Sequence, residues 1–110
     1  MMTQAAVRGY QGDDVGQPYR LAACLKHFAG YGAAEGGRDY NTTEISTYQL
    51  ENFYLPAYRA AVDAGCKLVM SAFNALNGVP CTANRALFRD LLREKWGFKG
   101  TVITDCTALY

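Results

Sequence analysis

The chain has 110 residues, half of them apolar, with 11 Lys and Arg against 10 Asp and Glu and a net charge of +1. That composition excludes intrinsic disorder and bounds the chain to one domain at most, residues 1–110. Like charges form no block and no apolar run approaches the length of a membrane span, so neither nucleic acid nor a bilayer is an expected partner.

The opening MMTQAAVRGYQG carries no cationic leader followed by an apolar stretch, and its residues to about Tyr10 predict a helix, followed by polar Gln11 to Gln17. The apolar run Leu21 to Leu25 predicts a first strand covered on both faces. A second helix is expected from Ser46, whose spacing to Gln49 fits a capping box. Its buried face should be Leu50, Phe53, Tyr54, Ala57 and Ala61, and Gly65 should stop it. Pro56 lies inside this stretch, where it removes a backbone donor and clashes with the preceding turn, so a kink is expected near Leu55. Leu68 to Phe73 predicts a second strand, Asn77-Gly78 a turn, and Asn84 the cap of a helix running through Leu87, Phe88, Leu91, Leu92 and Lys95 to a stop at Gly97. The β-branched run Thr101 to Thr104 predicts a third strand.

Helices alternating with buried parallel strands predict an α/β fold, either a doubly wound sheet or about three βα units of a (β/α)8 barrel. Eight strands and about 250 residues make such a barrel. The chain stops at Tyr110, five residues beyond Asp105, so a barrel fragment is expected.

Four cysteines, Cys24, Cys66, Cys81 and Cys106, lie 42, 15 and 25 residues apart with no C-x-x-C pair, and His27 is the single histidine. This argues against a zinc site and for buried thiols rather than disulfides. No metal and no cofactor is called for.

Polar residues follow each strand on the side where α/β folds build their sites: Lys26 and His27 after the first, Ser71 and Asn74 around the second, Asp105 after the third. A cation, an imidazole and a carboxylate at one sheet edge suit a polyhydroxylated ligand. The same residues have simpler readings. Lys26 can be a solvated strand end, His27 a structural histidine, Asp105 the N-cap of a following helix, and Arg38-Asp39 a surface ion pair. The glycines between Gly30 and Gly37 have neither G-x-G-x-x-G order nor a P-loop Lys-Ser/Thr, and no nucleophile elbow is present.

Five segments together resemble one family: Lys26-His27-Phe28-Ala29-Gly30-Tyr31-Gly32, Gly37-Arg38-Asp39-Tyr40-Asn41, Met70-Ser71-Ala72-Phe73-Asn74 with Asn77-Gly78, Trp96-Gly97-Phe98-Lys99-Gly100, and Thr104-Asp105. In this order and spacing they resemble the N-terminal barrel of glycoside hydrolase family 3, and are most similar to its bacterial β-glucosidases. The likeness runs from Val7 to Asp105.

The resemblance implies a retaining β-glycosidase acting on oligosaccharide or β-glycoside substrates without a cofactor. It makes Asp105 the nucleophile, Lys26 and His27 the pair that binds sugar hydroxyls, Arg38 a further substrate contact, and Phe73 a lining residue where the family often has tyrosine or methionine. Cations such as Lys26 or Arg38 are then expected beside Asp105. Cys106 stands where many members carry tryptophan and is similar to the β-xylosidase-like branch, which is the alternative specificity. Glu35, Glu44, Glu51 and Glu94 match no acid/base motif of the family, so that carboxyl group is expected outside this chain. A non-catalytic sugar-binding module and a flavodoxin-like binding domain are the readings from other classes.

Overall fold

Three parallel strands, β1 (Cys24–Phe28), β2 (Leu68–Ser71) and β5 (Thr101–Ile103), form the sheet of the computed structural model in the order β1-β2-β5. The structure describes residues 1–108, and the last two of the chain, including the Tyr110 end, lie outside the described residues. Cys24 pairs with Leu68 and Leu25 with Val69, while Val69 pairs onward with Val102 and Met70 with Ile103. The remaining strands, β3 (Ala75–Leu76) and β4 (Val79–Pro80), make a small antiparallel hairpin around the expected Asn77-Gly78 turn.

The helices obey their end signals. Helix α1 (Met2–Gln11) opens the chain, and Ser46 and Gln49 form the reciprocal capping box ahead of α2 (Thr47–Gln49). A π-helical stretch, Leu50–Tyr54, then leads into α3 (Leu55–Asp63), with Pro56 in the first turn of α3. A proline there lacks a donor that the first turn does not need. The extra residue of a π-turn rotates the next helix about its own axis. The expected face is therefore corrected in part: Ala61 is buried as expected and Leu50 and Tyr54 are half-buried, but Phe53 is 70 % exposed and Ala57 is exposed, and Leu55 and Ala60 are buried in their place. A second π-helical segment, Ala86–Lys95, buries Leu87 and Leu92, and Asn84 caps it by accepting from the Leu87 N–H at 3.1 Å.

One sheet face carries the core. Leu25, Val69 and Val102 pack with Leu55, Leu87, Leu92 and Phe28, and Phe28 is fully buried among the rings of Tyr58, Phe88 and Trp96 at 5.2, 5.4 and 5.9 Å. Burying a side chain such as Phe28 or Leu92 contributes about 1.5–3 kcal/mol. By alternation the other face presents Cys24, Lys26, Leu68, Met70, Thr101 and Ile103, all exposed or half-buried.

Two expectations about the first strand are corrected. The strand runs Cys24–Phe28, three residues later than the apolar run, because Leu21 is 69 % exposed and its N–H bonds back to Tyr10 O at 3.0 Å. Lys26 and His27 therefore lie within the strand rather than after it.

Gln11, expected to start a polar connection, is the buried last residue of α1. Its side chain donates to Gly65 O at 3.0 Å and accepts from the N–H groups of Ala23 and Lys67 at 3.0 and 3.1 Å. A single amide thus joins α1 to the turn after α3 and to the approaches of β1 and β2. All four cysteines are free thiols, but only Cys66 and Cys81 are buried; Cys24 and Cys106 are exposed, which corrects the expectation of burial for those two.

Candidate active site

Strand β1 delivers His27 to the C-terminal rim of the sheet. Its neighbour Phe28 is locked in the aromatic core, and the Tyr58 hydroxyl donates to the His27 carbonyl oxygen at 2.7 Å. Burial, and secondarily the Cys81 thiol, push the Tyr58 phenol up to about 12, so it stays a donor. The Lys26-His27 and Phe28-Ala29 peptide bonds are cis, and the pairing of β1 with β2 shifts register between Leu25 and Phe28.

Beyond Phe28 the carbonyls of Ala29 and Gly30 turn inward and are met by a buried polar cluster. Asn74 donates to Ala29 O at 3.4 Å and to Thr43 Oγ1 at 3.0 Å, and Thr43 Oγ1 donates to Gly30 O at 3.2 Å. The Cys81 thiol reaches Ala29 O at 3.5 Å. Asn74 and Thr43 are fully buried, and Ser71 is buried against Thr82 with 3.1 Å between their hydroxyls. Ser71 and Asn74 are therefore supports of the rim and not ligand-facing groups, a correction to the expectation that placed them at the site edge.

Asp105 comes after β5 and meets His27. The His27 Nε2 and Asp105 Oδ2 atoms are 3.4 Å apart, with the side chains 30 % and 17 % exposed. The other carboxylate oxygen, Oδ1, accepts from the Cys106 N–H at 2.8 Å, and the Ala108 N–H bonds to Asp105 O at 3.2 Å. These bonds build a turn, so among the described residues Asp105 caps no helix. One oxygen is held by the backbone and the other faces an imidazole and solvent. That is the posture of a positioned carboxylate within reach of a ligand.

Arg38 lies in the loop between β1 and α2, beside an open depression of about 340 Å³ lined by Tyr31, Gly32, Ala34, Gly37 and Asp39. Among the described residues Arg38 pairs with no carboxylate, so the surface ion pair expected for Arg38-Asp39 is absent. Asp39 instead takes the hydroxyl of Tyr31, and the same Tyr31 oxygen accepts from the Tyr40 N–H at 3.0 Å. Desolvation first, and the bond to Asp39 second, raise the Tyr31 phenol above its ordinary value. The Tyr31 ring stands edge-on to His27 at 5.5 Å and tilted to Phe73 at 6.3 Å, and Tyr40 meets Phe73 at 4.8 Å.

Of the five residues expected at the site, His27 and Asp105 are brought into contact and Phe73 is joined to them through Tyr31. Lys26 is exposed and borders a depression of about 200 Å³ between α1 and β1. Neither Lys26 nor Arg38 forms an ion pair with Asp105 among the described residues, so His27, not a lysine or arginine, is the basic group at its side. Sequence reasoning assigns no role to Tyr31, Thr43 and Tyr58, since the partners of their hydroxyls lie 8, 13 and 31 residues away and spacing does not reveal them. No three His, Cys, Asp or Glu side chains gather in a metal-binding group among the described residues.

Comparison with known proteins bears on this arrangement. The family model described as glycosyl hydrolase family 3 N-terminal domain matches residues 1–110. A periplasmic beta-glucosidase of Salmonella typhimurium is 44 % identical over 109 residues, which cover 99 % of this chain and 14 % of that protein. An exo-1,4-beta-xylosidase of Emericella nidulans is 42 % identical over 110 residues, 94 % of this chain and 14 % of its own. Among solved structures, a beta-glucosidase from Listeria innocua in complex with glucose superposes with a TM-score of 0.94 at 50 % identity, covering 98 % of this chain and 15 % of that one. The chain thus spans about 14 % of the length of the curated relatives it matches.

Proposed function

This chain belongs to glycosyl hydrolase family 3 through its N-terminal domain, and on that premise we propose that it is a segment of the catalytic barrel of a retaining, β-glucosidase-like glycosidase. The observation that carries the reading is Asp105, held by a backbone N–H on one oxygen and facing His27 at 3.4 Å with the other, at the C-terminal rim of a parallel sheet. Asp105 attacks the anomeric carbon of a terminal β-linked sugar. The C–O bond to the leaving group breaks as a covalent glycosyl-enzyme forms, and water then cleaves that ester. His27 and Lys26 donate to sugar hydroxyls, Arg38 adds a cation at the mouth, and Phe73 lines the wall.

A retaining glycosidase needs a second carboxyl group about 5–5.5 Å from the nucleophile to protonate the leaving oxygen. Asp39 is engaged by Tyr31, so we assign the acid/base to the polypeptide outside these 110 residues. The same holds for the remaining strands. A half-exposed sheet face bearing Leu68, Met70 and Ile103 supports their enclosing it as a barrel interior.

A β-xylosidase-like specificity is the second reading. Cys106 directly after the nucleophile favours it, alongside the 42 % identity to the fungal exo-1,4-beta-xylosidase. Both readings are tested in the full-length protein. A 2-deoxy-2-fluoro glucoside and the matching xyloside should each be tried as traps, with peptide mass spectrometry to locate the adduct. Label on Asp105 from the glucoside supports the first reading and label from the xyloside alone the second. Label on another carboxylate removes both.

A further inference from the structure

We propose that Tyr31 is a positioning residue, which fixes Arg38 relative to His27 by tying the loop that carries Arg38 to the rim of the sheet. The inference deepens the reading above and rests on it. Three observations carry it. First, the Tyr31 ring packs against the core and stands edge-on to His27 at 5.5 Å, so its base is fixed by the strand end. Secondly, its hydroxyl holds the loop at two successive residues, donating to the Asp39 carboxylate and accepting from the Tyr40 N–H at 3.0 Å. Thirdly, Arg38 has no ion pair of its own among the described residues, and it is preceded by Gly36 and Gly37 at φ 65° and 64°.

Those two glycines sit in the left-handed region, where the absence of a Cβ leaves a broad range of backbone angles open. Arg38 is thus preceded by a tight turn, in which its N–H bonds to Glu35 O at 3.3 Å, and followed by the two residues that Tyr31 holds. The bonds within the turn are local, so it is the fastening to Tyr31 that sets where this turn and Arg38 lie relative to His27. Tyr40, at φ 65°, occupies a conformation disfavoured for a non-glycine residue, and the bond from its N–H to Tyr31 supports it there. Phe73 closes the arrangement by touching both rings, Tyr31 at 6.3 Å and Tyr40 at 4.8 Å. The hydroxyl of Tyr31 touches no reacting atom, so its effect passes through Arg38.

An arginine at the mouth of the site contacts parts of the substrate remote from the bond being cleaved, so misplacing it weakens ground and transition states alike. The test uses the full-length enzyme and an aryl β-glucoside. Tyr31→Phe keeps the ring against His27 and removes only the hydroxyl; it should raise KM about 10-fold with kcat changed less than about 2-fold. The inhibition constant of free glucose should rise in parallel. Asp39→Ala, which removes the acceptor, should reproduce that pattern, and Asp39→Asn, which retains one, should restore most of the affinity. In an Arg38→Ala background Tyr31→Phe should have no further effect.

Additive losses in Tyr31→Phe/Arg38→Ala, or a Tyr31→Phe defect confined to kcat, would overturn the positioning role while leaving the site intact. Should Arg38→Ala alone leave KM and the glucose constant unchanged, the assignment of Arg38 to the site fails, and the role of Tyr31 with it. Thermal unfolding of Tyr31→Phe should match the parent. A lowered transition accompanied by equal losses in Asp39→Asn would reduce Tyr31 to a structural residue and overturn the proposal.

Discussion

His27 and Asp105 meet above the end of a strand that neither belongs to. They come from β1 and the residues after β5, which flank β2, and two strand spacings amount to about 9.6 Å. Their side chains nevertheless close to 3.4 Å, over the point where β2 ends at Ser71. The two side chains together bridge that span, so anything that spreads β1 and β5 apart separates the two groups.

Replacing Asp105 by glycine in the full-length enzyme should lower turnover by a factor on the order of 10⁴. Glucose binding should persist, because the hydroxyl-binding groups remain. Azide should restore cleavage with inverted anomeric configuration in the product, as a small anion fills the space left by the carboxylate. Glycine-variant hydrolysis without azide at a rate near the parent's would show that another group attacks.

Tyr58 gives a prediction in pH. Its phenol ionises near 10 when unfolded and at about 12 when folded, so between those values the unfolded chain releases a proton that the folded protein keeps. Stability that is fully present below pH 10 should therefore fall by roughly 2 kcal/mol as the pH rises to about 12. Tyr58→Phe should remove that slope and cost about 1 kcal/mol at neutral pH through the lost bond to His27 O. Denaturant melts of parent and variant across this range would decide it, with identical slopes counting against the assignment.

Gln11→Leu keeps the volume of the side chain and removes three hydrogen bonds at once. The Ala23 and Lys67 N–H groups and the Gly65 carbonyl then lose their shared partner; the buried Ala23 N–H left unsatisfied costs about 1–3 kcal/mol, and the two groups at exposed residues cost less. Hydrogen exchange of the Ala23 and Lys67 amides should accelerate by at least ~30-fold. Unchanged protection would mean that water replaces the amide there.

A polypeptide of these 110 residues alone should self-associate. Strands β1 and β5 each present an unpaired edge within the described sheet, and the face with Leu68, Met70 and Ile103 is partly open to water. Sedimentation should show species above the monomer. A single monomeric boundary with sharp, cooperative melting would contradict the barrel-segment reading.

Most of the architecture is legible in the sequence because strong end signals mark it. The Ser46-Gln49 box, Pro56, the Asn84 cap, and Gly65 and Gly97 beyond the helices each act locally, and the elements begin and end where those residues require. Hydrophobicity alone misplaces the first strand. Leu21 and Ala22 are apolar yet exposed, while Lys26 and His27 are polar yet belong to the strand, since backbone pairing with β2 and not side-chain polarity sets where the strand begins and ends. The face of the second helix escapes for a different reason: a π-turn breaks the 3.6-residue period, and no single residue announces it.

At the site, motif resemblance supplies the residue types but not their partners. That Asp39 serves Tyr31 instead of Arg38, and that Asn74 turns inward to Thr43, are consequences of packing between segments 8 and 31 residues apart. Spacing along the chain holds no information about either.

The Gln11 amide also short-circuits the connection leading from α1 to β1. With the end of α1 already joined to Ala23 ahead of β1, residues 13–19 contribute only short-range bonds, such as Asp14 to Gly16 at 2.8 Å and to Gln17 at 3.3 Å. That surface stretch is a natural port for grafting. A reporter peptide or an affinity tag spliced into it should leave the sheet, and the chemistry at its far rim, undisturbed.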